Sequence, residues 1–234
     1  MSNRSAFLFD LNGTMVDDMS YHLDVWYQVI VKDLGAHMTR EEVKHHLYGK
    51  SQEVLMRIFG KDRFTTEELD RISFDKEMQY QQLYRPHLDL IPGLFTFLEM
   101  TWEENIKMAI GSAAIPFNID FVIDNLKIRH YFEAIVSADD VTKSKPDPET
   151  FLKAAAQLNV HPSSCIVFED APKGVECARN AGMKAVVITT THPETDFSKY
   201  DNIIMFIDDY TDLTPNMVTL ASTISNTKTK NIEL

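Results

Sequence analysis

At 234 residues the chain has room for one large domain or two small ones, and a composition 44% hydrophobic and 25% charged is that of an ordinary folded protein with a sizeable core. A net charge of -12 without a basic stripe argues against nucleic acid as a partner, and no run approaches the ~20 apolar residues of a membrane span. The polar start MSNRSA is not a secretory leader, and Cys165 and Cys177 read as small buried residues, so a reducing cytoplasm is the expected compartment.

A strand-like run, AFLF (6–9), ends in Asp10 and a loop that holds Asn12, Gly13 and Thr14. Helical patterns follow. Leu23, Trp26, Val29 and Ile30 share one face, and Thr39-x-x-Glu42 and Thr65-x-x-Glu68 are capping boxes. After IPG (91–93) the rhythm changes to strand and helix in alternation. The runs are IKMAIG (106–111), EAIVS (133–137), CIVF (165–168), AVVIT (185–189) and IIMFI (203–207). One helix starts at Asp147-Pro148 and carries Phe151, Leu152, Ala155 and Leu158; another carries Val175 and Ala178 and stops at Gly182. From about Ser222 the chain is polar and aperiodic. The expected fold is α/β: a Rossmann-like parallel-sheet core (1–16 and 90–220), an inserted helical cap (17–89) and a flexible tail (221–234).

In open α/β sheets ligands gather at the carboxyl ends of the strands. The residues collected there are Asp10, Asn12, Gly13 and Thr14, then Ser112 and Ala113, then Lys145, then Glu169 and Asp170. Carboxylates placed together repel unless a cation joins them, and hard oxygen ligands favour Mg²⁺. A carboxylate nucleophile, Mg²⁺ and a lysine describe phosphoryl transfer through an aspartyl-phosphate.

These residues stand in four motifs, FDLNGT, GSAA, KSKPDPETF and FEDAPKGVECARNAGM, in order over about residues 6 to 210. Together they resemble the haloacid dehalogenase (HAD) superfamily, in the branch with a helical cap after the first strand, and the layout is similar to the β-phosphoglucomutase-like phosphatases. The resemblance implies Asp10 as nucleophile, and Mg²⁺ held by Asp10, the carbonyl of Asn12 and Asp170, with Glu169 as ligand or support. It implies Ser112 and Lys145 on the transferring phosphate, with Gly13, Thr14 and Ala113 in the phosphate loops and His22 lining the cleft. Lys50 is a further candidate for substrate contact, and Lys76 falls near a cap cation of some relatives. The partner implied is a small phosphorylated metabolite; nothing in the sequence sets the oligomeric state, and a monomer is the expectation.

Two departures matter. The family's acid at residue 12, which moves protons for both half-reactions, is an amide here, and general acid–base help is worth ~10²–10⁴-fold. Asn12 is a change that traps an intermediate, or a natural residue with His22 or water moving the proton, or the mark of a chain that mainly binds. Asp18 also stands where relatives carry Thr or Ser. The second departure is on the distal side of the pocket. GKSQ places Gln52 where related mutases carry arginine, and SAAIP places Ala114, Ile115 and Pro116 where they carry polar groups. A distal phosphate without donors is costly to desolvate, so hydrolysis of a monophosphate is expected over a mutase reaction. Cleavage of a phosphonate aldehyde through Lys50, and binding without turnover, remain open.

Overall fold

The computed structural model describes residues 5–230, with side chains through residue 225; the start of the chain before Ser5 and its last four residues lie outside this range. Each of the six apolar runs forms a strand: β1 (Ala6–Phe9), β2 (Lys107–Gly111), β3 (Ala134–Val136), β4 (Cys165–Glu169), β5 (Lys184–Ile188) and β6 (Ile203–Ile207). They make one parallel sheet in the order β3-β2-β1-β4-β5-β6. The chain winds outward from β1 to β3 and then crosses to β4 on the other side of β1. The carboxyl ends of β1 and β4 therefore flank the point where the winding reverses, the usual place for a ligand.

Only helices and loops lie between β1 and residue 106. They are α1 (Met19–Tyr27), which continues into a π-helical turn at Gln28–Asp33, then α2 (Arg40–His46), α3 (Ser51–Phe59), α4 (Thr66–Tyr84) and α5 (Leu94–Glu103). The expected capping boxes close α2 and α4. Glu42 N–H donates to Thr39 Oγ1 at 3.2 Å while Thr39 N–H donates to the Glu42 carboxylate at 2.7 Å, and Thr65 and Glu68 repeat the pattern. The remaining helices cover the sheet: α6 (Pro116–Asn125), α7 (Glu149–Leu158), α8 (Pro172–Asn180) and α9 (Pro215–Lys230). Among the described residues no helix is long and apolar enough to cross a membrane.

Side chains alternate across the sheet, so each strand feeds two layers. Phe7 and Phe9 enter one layer with Phe97, Phe168 and Tyr210; Ala6 and Leu8 enter the other with Phe151, Val167 and Ala178. Phe9 stacks on Phe168 at 4.6 Å between ring centres. Each such buried ring is worth roughly 1.5–3 kcal/mol. That packing ties the end of β1 to the end of β4, and those ends carry Asp10 and Glu169.

The structure corrects two expectations. Helix α7 begins at Glu149 and not at Asp147, because Pro148 takes the cap position; Asp147 acts from one residue further out and accepts the Glu149 N–H at 3.1 Å. The tail expected to be loose from 221 is helical through Lys230. Pro215 opens α9, Val218 is buried, and the helix packs on β6 and α5.

Candidate active site

Asp10 leaves the sheet just beyond β1, and its N–H donates to Phe168 O at 3.0 Å, which stitches the loop to β4. Lys145 Nζ then stands 2.7 Å from Asp10 Oδ1 and 2.7 Å from Glu169 Oε1. The second Glu169 oxygen accepts the N–H groups of Asp170 (3.0 Å) and Ala171 (2.9 Å) at the start of α8. Asp170 is held by two hydroxyls, Thr14 Oγ1 on Oδ1 at 3.1 Å and Thr191 on Oδ2. Two glycines make room. A Cβ on Gly13, which has φ of +74°, would strike the Asp170 carboxylate and Thr191; one on Gly174 would strike the Glu169 carboxylate.

Asp10, Glu169 and Asp170 are buried, and each offers a carboxylate oxygen within 4.8 Å of the others. One ammonium does not balance three acids. Burial pushes the Asp10 carboxyl up to about 7; Lys145 opposes the rise and Glu169 adds to it. Burial also lifts Asp170 well above the usual range, with Glu169 and Asp10 adding to it. Burial disfavours the Lys145 ammonium, but Asp10 and Glu169 outweigh it and hold its pKa above the lysine norm. A pocket of clustered, uncompensated oxygens suits a hard divalent cation.

The stability of the metal-free protein follows from these shifts. An unfolded Asp10 ionises near 3.8 and the folded one near 7, so the folded chain holds the proton more tightly. That contribution is complete below pH 3.8 and is lost as pH rises through about 7. In chelator, the melting temperature is expected to fall between about pH 5 and about pH 8, less steeply for Asp10→Asn. An equal slope in both proteins contradicts this.

Ser112 follows β2. Its N–H donates to Val136 O at 2.9 Å, and its hydroxyl accepts the Ala114 N–H at 3.1 Å. It lines a cavity of about 170 Å³ with Ala113, Lys145, Asp10, Glu169 and Asp170. The helices close the other side with Met19, His22, Trp26, Val54, Lys76 and Glu77. His22 stacks on Tyr80 at 3.8 Å, and its Nδ1 receives Lys76 Nζ at 2.7 Å. Lys76 also pairs with Glu77 at 2.9 Å, and Glu77 is held by Ser51 (2.9 Å) and by Asn118 of α6 (2.6 Å). Burial works to raise the Glu77 pKa, but Lys76 and His22 bring it below the usual value.

Asp10, Asn12, Ser112, Ala113, Lys145, Glu169, Asp170 and His22 thus line one cavity. Lys50 is a correction: its Nζ donates to Val141 O at 2.7 Å, and only its neighbours Gly49 and Ser51 reach the cavity. Gly13 and Thr14 are also displaced from their expected place. They sit behind the cavity, where Thr14, fully buried, spends its hydroxyl on Asp170. Sequence reasoning missed Glu77, Ser51, Asn118 and Thr191. Polar residues on helices and loops far from the motifs carry no local signal of where they meet.

Residues 7–188 match the family described as haloacid dehalogenase-like hydrolase. A β-phosphoglucomutase from Bacillus subtilis is 34% identical over 195 residues, covering 80% of this chain and 84% of that one. A fructose-1-phosphate phosphatase from Escherichia coli is 29% identical over 183 residues, covering 78% and 95%. Among solved structures, a β-phosphoglucomutase from Clostridium difficile superposes with a TM-score of 0.82 at 28% identity, over 94% of this chain and 97% of that one. On fold, site and family match together, the chain belongs to the haloacid dehalogenase superfamily as a β-phosphoglucomutase-like hydrolase of the phosphatase type.

Proposed function

We propose that this protein is a Mg²⁺-dependent phosphohydrolase acting on a small, singly phosphorylated metabolite, a sugar phosphate or similar ester. The observation that carries this is the Lys145 ammonium set 2.7 Å from the buried Asp10 carboxylate, beside Glu169 and Asp170. Asp10 attacks phosphorus, the ester P–O bond breaks, and the leaving oxygen takes a proton from His22 or water and departs as the alcohol. Water then forms a new P–O bond and passes its proton to a phosphoryl oxygen, the bond from the Asp10 carboxylate oxygen to phosphorus breaks, and phosphate departs. Ser112 and Lys145 hold the phosphoryl oxygens. Asp10, Glu169, Asp170 and the Asn12 carbonyl would hold Mg²⁺, which supplies charge neutralisation. The helices between residues 17 and 89 act as a cap that closes over the cavity and excludes water. The reaction belongs in the cytoplasm; both cysteines are free and buried.

Hydrolysis is preferred to a mutase reaction because the two places where related mutases grip the second phosphate offer no free donor side chain here. The Gln52 amide is engaged with exposed Asp70, and Ala113 and Ala114 form the cavity wall beside Ser112. Cleavage of a phosphonate aldehyde loses its lysine, since Lys50 is turned to Val141.

Phosphate release from hexose, pentose and triose monophosphates and from sugar bisphosphates tests this, with Mg²⁺ and with chelator. The expected result is release from at least one monophosphate, ~10-fold or more faster than from any bisphosphate, and lost in chelator. Isomerisation of a monophosphate primed by a bisphosphate would make the chain a mutase. Binding without release from any ester would make it a binding protein.

A further inference from the structure

Asp18 lies just ahead of α1 and is wholly buried. Its carboxylate gathers three donors. Gly13 N–H reaches Oδ1 at 3.2 Å, Asn12 Nδ2 reaches Oδ2 at 2.6 Å, and the Tyr80 hydroxyl of α4 donates to Oδ2 as well. His22 Nε2 stands 3.5 Å from the same oxygen. An ammonium only donates, so Lys76 on Nδ1 leaves the imidazole N–H on Nε2, the atom that faces Asp18. The Asn12 amide nitrogen faces Asp18 at 2.6 Å, where the amide oxygen would repel the carboxylate, and it also lies 3.2 Å from His22 Nε2. Asn12 lines the cavity, and its Oδ1 has no hydrogen-bond partner among the described residues.

We infer that Asn12 and Asp18 act as a pair: the buried Asp18 carboxylate pins the Asn12 amide, so that residue 12 meets the reacting water only as a hydrogen-bond acceptor. Asp18 is a positioning residue, sealed from the cavity. Asn12 is the group that meets the attacking water, accepting a hydrogen bond from it and orienting it without taking the proton, which passes to a phosphoryl oxygen as phosphate forms. The pair also excludes the simple repair. An aspartate at residue 12 would set its oxygen where an amide nitrogen now stands, 2.6 Å from Asp18 Oδ2, and two buried carboxylates at that separation repel. A carboxylate fits residue 12 only if residue 18 gives its own up.

The test is a cycle of four full-length proteins: the chain as it is, Asn12→Asp, Asp18→Asn, and the swap carrying both. Melting temperature is read for each, together with kcat and KM for p-nitrophenyl phosphate and Mg²⁺. That probe's leaving group needs no proton, so the water step is exposed. Asn12→Asp alone is expected to melt about 4 °C or more lower and to gain less than ~3-fold in kcat. The swap is expected to recover the melting temperature to within about 2 °C and to exceed Asn12→Asp by ~10-fold or more in kcat. Asp18→Asn alone is expected to lose ~10-fold in kcat with KM held within ~2-fold, because the amide is free to turn.

An Asn12→Asp protein that melts unchanged and gains ~100-fold in kcat overturns the pairing. An Asp18→Asn protein that melts lower yet keeps its kcat overturns the positioning role. The kinetic half rests on the phosphohydrolase reading, and the melting cycle does not. If none of the four proteins releases phosphate from any ester, that reading fails while the melting cycle still decides the pair.

Discussion

Asp10→Asn is expected to lose phosphate release by at least ~10⁴-fold and to melt no lower than the unchanged protein at neutral pH in chelator. The amide keeps the shape of the side chain and the backbone bond to Phe168, but it is a poor nucleophile, so covalent transfer stops. Stability moves the other way. The Asp10 carboxyl is already pushed up to about 7 by burial, so ionising it in the metal-free protein costs folding free energy. Removing the charge leaves Lys145 paired with Glu169 at 2.7 Å and takes one acid out of a cluster of three. Activity and stability therefore part, as they do at sites held under strain for function. Phosphate release and a melting curve on the same preparation check both halves. Activity within ~10-fold of the original would mean that Asp10 is not the nucleophile.

Lys145→Met is expected to be the most destabilising single change at the site in the absence of metal, by ~3–5 kcal/mol, and to lower turnover by ~10²–10³-fold with metal present. The ammonium is nearly sealed from solvent and touches two carboxylates. Methionine keeps the length that fills the space beside Phe151 but leaves Asp10 and Glu169 without their cation. A divalent cation is expected to restore most of the stability, since it can neutralise the same oxygens. It is not expected to restore turnover, since a phosphoryl oxygen then lacks its donor. Denaturant unfolding with chelator and with Mg²⁺, beside phosphate release, separates the two effects. Recovery of both by Mg²⁺ would reduce Lys145 to a counter-charge.

The sheet was legible in the sequence because its six strands are short apolar runs and the central ones are buried on both faces, where composition and structure coincide. The pairs Thr39–Glu42 and Thr65–Glu68 were legible because a capping box is local. Asp10, Ser112, Lys145, Glu169 and Asp170 could be assembled because each ends or follows a strand, and a parallel sheet brings those ends to one edge. What escaped was set by packing between distant segments. Lys50 follows a glycine at the cavity's rim, yet its stem turns the ammonium to Val141. Thr14 belongs to the first motif but supports Asp170 from behind. Glu77 reads as one charge among many on a solvated helix; its burial against Asn118 appears only when α4 meets α6. Asp18 could be recognised as a departure, and its meaning required the distance to Asn12. The tail misled for a physical reason: polar composition does not forbid a helix once Val218 anchors its first turns.

One measurement bears on the central claim most directly. The protein is mixed with Mg²⁺ and the monophosphate it hydrolyses best, quenched in acid within a turnover, and digested for mass spectrometry, with Asp10→Asn treated alike. The expected result is one phosphoryl group on the peptide that carries Asp10, discharged on return to neutral buffer and missing from the Asp10→Asn protein. Steady phosphate release with no phosphoryl group on Asp10, or a group carried elsewhere on the chain, would contradict transfer through this carboxylate.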